Sequence, residues 1–114
     1  MKDLSIILLS VFLGAVGQIG LKYGALRLAD TGSLWEKALA AWPLIAGLAV
    51  YGVSTLLWIY ALRTVELSYA YPLISLGYVL VFIASYFLFH ESISMLRLGG
   101  LLLILSGIVL VAKS

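Results

Sequence analysis

Four charge-free stretches divide the chain: Leu4 to Leu21, Ala38 to Leu62, Leu67 to Phe89 and Leu98 to Ala112. A helix rises about 1.5 Å per residue and a bilayer's hydrocarbon core is about 30 Å thick, so about 20 residues are needed to cross it. The second and third stretches are long enough alone. The first reaches full length by continuing past Lys22 to about Leu26, and the fourth by starting near Met95 with Arg97 at the interface, where a long cationic side chain snorkels to water. The pattern predicts four membrane helices, roughly 4–26, 40–62, 67–89 and 95–112, forming a single transmembrane domain over 1–114.

The first stretch also has features of a secretory signal, with Lys2 ahead of an apolar run and small residues at Ala15 and Gly17. It is longer than the usual apolar region of such signals and is read as a retained span. The connections are short. Arg27 to Leu39 holds the turn-forming Asp30-Thr31-Gly32-Ser33 and an interfacial Trp35, while Arg63 to Glu66 allows only a tight hairpin. Successive helices therefore run antiparallel and pack as neighbours. Trp42, Trp58, Tyr60, Tyr69, Tyr71 and Tyr86 lie near span ends, where amphipathic rings favour the headgroup level.

Composition excludes a water-soluble globule. Of 114 residues 64% are hydrophobic and 11% charged, and mean hydropathy is +1.18, against about 45–50% and about 25% for soluble domains. Zero cysteines exclude disulfides, thiolate metal sites and cysteine nucleophiles. The net charge of +2 is scattered rather than gathered into a stripe, which argues against a nucleic-acid partner. One histidine in the chain supports neither a metal-ligand set nor a nucleophile, base and orienter set. No metal, cofactor or enzymatic activity is expected. With both termini on one side, that side carries Lys2, Arg63 and Lys113 and the other Arg27, Lys37 and Arg97, so the positive-inside rule gives no orientation.

Four short spans with short loops leave no room for a catalytic domain outside the bilayer. They also leave little space for a solute path within one bundle. Transport therefore requires two bundles facing each other, and a dimer, homomeric or heteromeric, is expected. Gly100 and Gly107 share one face of the fourth span, where small residues let helices approach; both a dimer interface and internal contacts fit that spacing. In the first span Gly20 and Gly24 form a weak GxxxG signal. Gln18 and Lys22 lie one turn apart on a shared face. They suit an anionic head group, phosphate for preference, met by the ammonium and oriented by the amide; a snorkelling lysine beside a helix-packing glutamine fits the same pattern. In the third span Tyr71, Ser75 and Tyr78 form a hydroxyl stripe, with Pro72 and Gly77 marking a hinge or a mere irregularity. Glu91 reads as a partner of the fourth helix's dipole, with Ser94 as that helix's cap.

These motifs together resemble the four-helix branch of the drug/metabolite transporter superfamily, which includes the small multidrug resistance proteins. The resemblance covers nearly the whole chain and rests on Lys22 late in the first span, Ala70-Tyr71 in the third, Glu91 after it and the Gly100 to Gly107 pattern. It implies a small multidrug resistance-like bundle acting as a dimer. The drug exporters carry a membrane-embedded glutamate eight residues before the lysine; here that position is Gly14, and no acidic residue occurs between Leu4 and Leu26. This departure argues against their proton-coupled exchange.

Gly17-Gln18 with Lys22, Ala70-Tyr71-Pro72 with Ser75-Leu76, and His90-Glu91 with Gly107-Ile108 are instead similar to the aminoarabinose-phosphoundecaprenol flippase subunits. That similarity implies movement of an undecaprenyl-phosphate-linked sugar across the bacterial inner membrane for lipid A modification. It also implies a paralogous four-span subunit as partner. Lys22 would meet the phosphate, and Gln18, Tyr71, Ser75 and Tyr78 would hydrogen-bond the head group. The competing expectations are a small multidrug resistance-type exporter of cationic compounds or metabolites, and a non-transporting membrane subunit that stabilises another protein.

Overall fold

The computed structural model describes residues 2–29 and 32–114. Among them are six α-helices: α1 Lys2–Ala29, α2 Leu34–Ala40, α3 Trp42–Leu62, α4 Leu67–Leu73, α5 Ser75–Phe87 and α6 Met95–Lys113. They combine into four stretches long and apolar enough to cross a membrane, Leu4–Leu28, Leu34–Leu62, Leu67–Phe87 and Met95–Lys113. The protein is an all-helical, multi-pass membrane protein, as the apolar runs predict. Helix α1 continues unbroken through Lys22; its 28 residues reach about 42 Å, which exceeds the hydrocarbon thickness.

Two connections differ from the reading of the sequence. Asp30 and Thr31 of the expected turn lie outside the described residues. Beyond them, residues assigned to a loop form α2. Ser33 accepts from the Glu36 amide at 3.1 Å, and the Glu36 carboxylate accepts from the Gly32 amide at 3.4 Å, a variant of the capping box that explains why a helix starts here. Leu34 and Trp35 of α2 are 87% and 72% exposed, as suits a short helix lying at the lipid interface. Ser94 caps α6 as expected, its hydroxyl accepting from the Arg97 amide at 3.1 Å. Glu91 takes no part in that helix start, because α6 begins four residues later at Met95.

The helices form a flattened bundle of 53 × 36 × 16 Å. Helix α1 is central, with α3 on one side and α4 and α5 on the other, and α6 packs against α4 and α5. Ile7 and Val11 of α1 meet Ala61, Ala70, Leu73 and Ile108 in one buried cluster. All of these residues belong to one half of the bundle.

The α1–α3 seam is close because its facing positions lack side chains. A Cβ on Gly17 would stand 3.0 Å from the Gly47 carbonyl oxygen, and a Cβ on Gly47 would stand 2.9 Å from that of Gly17. Gly20 also faces Gly47, and Gly24 faces Leu44, so the GxxxG pair serves contact within the chain. Two serines lock the same seam. Ser10 donates to the Ser54 carbonyl at 2.6 Å and Ser54 donates to the Ser10 carbonyl at 2.8 Å. Such interhelical bonds in membranes contribute on average about 0.6 kcal/mol and at most about 1.7.

The third span is broken between α4 and α5. Pro72 has no amide to donate, and the chain continues through tight turns in which Ile74 donates to the Tyr71 carbonyl at 3.0 Å and Gly77 to that of Ile74 at 2.9 Å.

Candidate functional site

A cleft of about 350 Å³ lies between α1, α3 and α5. Helix α1 supplies Ser10, Gly14 and Gln18 at steps of four, so one face of one helix lines its length. Helix α3 supplies Tyr51, Ser54, Thr55 and Trp58, and α5 supplies Gly77 and Tyr78. Gly77 lets α5 approach α1: a Cβ there would stand 3.2 Å from a Val11 methyl and 3.6 Å from the Ala15 Cβ. Gln18, Thr55, Tyr51 and Tyr78 are exposed, the last two at 42% and 45%, so the cleft opens on the side of the bundle.

Its polar groups are not equivalent. Ser54 is satisfied by Ser10, and Thr55 donates to the Tyr51 carbonyl one turn earlier at 3.0 Å. The Gln18 amide and the Tyr78 hydroxyl have no hydrogen-bond partner among the described residues. In hydrocarbon an unpaired amide or hydroxyl costs several kcal/mol, so both groups call for a polar partner from outside the chain.

The structure brings Gln18 and Tyr78 together but separates the other expected residues from them. Tyr71 lies before the helix break and is 65% exposed, and Ser75 is half-buried at the start of α5. Neither lines this cleft: the break at Ile74 interrupts the periodicity between Tyr71 and the rest of the stripe, and Ser75, three residues before Tyr78 on α5, is not among its lining residues. Lys22, one turn beyond Gln18, lies outside it as well. Its ammonium pairs with Glu91 at 3.6 Å, the two side chains being 48% and 39% exposed. A pair so exposed contributes about 0–1 kcal/mol.

Glu91 reaches Lys22 through a turn after α5. His90 takes a left-handed conformation with φ 55°, which non-glycine residues seldom adopt but which histidine adopts more readily than most. The reversal lets the Glu91 amide donate to the Ser85 carbonyl at 3.0 Å. A small cavity of about 120 Å³ opens at this end, lined by Ser85, Glu91, Ser92 and Arg97 among others, and it shares Tyr78 and Val81 with the α1–α3–α5 cleft.

The reading of the sequence missed Ser10, Tyr51, Ser54 and Thr55, and assigned Trp58 to the aromatic belt. Trp58 packs against the buried cluster and lines the cleft. The signal was present: Ser10, Gly14 and Gln18 repeat at four, and Tyr51, Thr55 and Trp58 at four and three, on spans otherwise apolar. Of the remaining expected positions, Gly100 and Gly107 have no heavy atom from another described helix within 4 Å of where a Cβ would stand. Their face of α6 is open, while Leu101 and Ile108 turn inward. No three His, Asp or Glu among the described residues stand close enough to hold a metal ion.

Gly14 lines the cleft, and a Cβ there would stand 3.1 Å from the Ser54 hydroxyl oxygen. A carboxylate side chain would displace the Ser10–Ser54 lock.

Comparison with known proteins agrees with this architecture. Residues 2–113 match the EamA-like transporter family. The chain is 36% identical over 117 residues to the probable 4-amino-4-deoxy-L-arabinose-phosphoundecaprenol flippase subunit ArnF of Photorhabdus laumondii, covering 93% of each protein. It is 34% identical over 112 residues to the probable subunit ArnE of the same flippase in Pseudomonas aeruginosa, covering 96% of each. The corresponding ArnF of Shewanella sediminis is 36% identical over 126 residues, covering 96% of this chain and 87% of that protein. No solved structure matches. With the family matched from residue 2 to residue 113 on four membrane-crossing stretches, the chain belongs to the EamA-like transporter family.

Proposed function

We propose that this protein is a subunit of a flippase that moves an undecaprenyl-phosphate-linked amino sugar across the bacterial inner membrane, acting with a second copy or a paralogous four-span subunit. One observation carries the reading: Gln18 and Tyr78, from different spans, present unpartnered polar groups in a cleft that opens sideways. A lipid-linked sugar needs that geometry, since its head group must travel through the bundle while its apolar tail stays in lipid. Relatives named for such a flippase, matched over 93–96% of the chain, support the same cargo.

In this reading Lys22 receives the phosphate late in the first span, and Gln18 and Tyr78 hydrogen-bond the sugar as it passes inward. Ser75 at the start of α5 and Tyr71 beyond the break lie along the route, and Pro72 allows α4 and α5 to change their angle. Gly77 holds α5 against α1 as the pivot. Gly100 and Gly107 supply the face against the second subunit.

The test is transport in vesicles carrying undecaprenyl phosphate-linked aminoarabinose in the inner leaflet, with a membrane-impermeant amine reagent outside. Labelling of the inner pool that depends on the protein supports the proposal. Proton-coupled efflux of a cationic compound without lipid movement would favour an exporter, and movement of neither would favour a stabilising subunit.

A further inference from the structure

The mouth of the bundle carries both signs of charge, and we infer that Glu91 reads the free amine of the cargo while Lys22 reads its phosphate, so that the subunit selects a zwitterionic head group. The inference rests on the flippase reading above. Of the three glutamates, Glu36 is held in the α2 cap and Glu66 precedes α4, whereas Glu91 lines the cavity that adjoins the cleft. Its separation of 3.6 Å from Lys22 exceeds the about 2.7–2.9 Å of a tight charge-assisted bond. Both groups are half-exposed and free to exchange partners.

A head group with a phosphate and an amine can replace that one loose pair by two. The phosphate takes Lys22, and the carboxylate this releases takes the amine. Charge balances in both states. A phosphate-linked sugar without the amine offers Glu91 no cation in exchange for Lys22, so it lacks the second pair that favours the amine-bearing head group. Arg97 lines the same cavity and keeps its charge there, with one guanidinium N–H donating to the Ser92 carbonyl at 3.3 Å. Tyr78, common to the cavity and the cleft, receives the sugar next.

The full chain, in vesicles alone and with a second four-span subunit, is tested with two short-chain polyprenyl phosphates. One carries the 4-amino sugar and the other its N-acetylated counterpart. The wild type is expected to bind and move the free amine at least tenfold better, Glu91→Gln to bring the ratio near one by losing the amine form, and Glu91→Asp to restore part of the preference. Glu91→Gln with the ratio unchanged, or with both probes impaired equally, overturns the inference. The wild-type comparison stands without any variant: equal handling of the two probes overturns the inference and leaves the flippase reading intact, whereas movement of neither overturns both.

Discussion

The Lys22 ammonium stands 3.6 Å from the Glu91 carboxylate, joining the late part of the first span to the turn before the fourth. Because the pair is half-exposed, its removal should cost less than about 1 kcal/mol. Lys22→Ala is therefore expected to insert and fold normally while translocation of the lipid-linked sugar falls at least tenfold. Thermal unfolding in detergent and the vesicle assay measure the two effects separately. Full translocation by this variant would remove Lys22 from cargo handling.

The α1–α3 seam predicts a contrast between glycines. Gly47→Ala places a methyl 2.9 Å from the Gly17 carbonyl oxygen, and overpacking of this kind typically costs about 1–3 kcal/mol. Gly99→Ala meets open space and should leave stability within about 0.5 kcal/mol of wild type. Unfolding in mixed micelles compares them directly; equal stabilities would mean that the seam is looser than described.

The Ser10–Ser54 lock predicts non-additivity. Each single alanine variant removes one donor and leaves the opposite carbonyl without it, at a cost of about 1 kcal/mol. The double variant should cost measurably less than the two singles added, because the hydroxyls also stand 3.4 Å apart and act as one unit. A double-mutant cycle on unfolding free energy gives the coupling, and strict additivity would mean that the two bonds act independently.

For the open face of α6, Gly107→Leu should leave the fold of the chain unchanged, since a Cβ there meets no described residue of another helix within 4 Å. Association with the second subunit should fall about tenfold, equivalent to about 1.4 kcal/mol. Energy transfer between labelled subunits in vesicles reads this loss. An unaltered association would place the contact on another helix.

Gly14→Glu restores the acid that the drug exporters use, yet it should not restore their activity. The new side chain starts 3.1 Å from the Ser54 hydroxyl and lowers stability through the seam. Proton-coupled efflux of a cationic dye should stay at background in vesicles. Robust efflux would show that the cleft tolerates a carboxylate and is an exporter's site lacking one residue.

The sequence by itself determined the solvent, the number of spans and the capped start of α6. Each of these follows from local quantities: the length of a charge-free run, the cost of charge in hydrocarbon, a serine three residues ahead of a free amide. It also singled out Gln18 and Tyr78, because an amide and a hydroxyl inside an apolar run are conspicuous. Only the tertiary structure decided which residues meet. The break at Ile74 took Tyr71 away from Ser75 and Tyr78, since helical spacing holds only while the helix is continuous. The left-handed turn at His90 carried Glu91 from an apparent helix start to Lys22, 69 positions earlier in the chain. The partnership of Ser10 with Ser54, across 44 positions, and the facing of Gly17 and Gly47 depend on how two spans rotate against each other. That rotation is set by contact between their surfaces, and neither span encodes it alone.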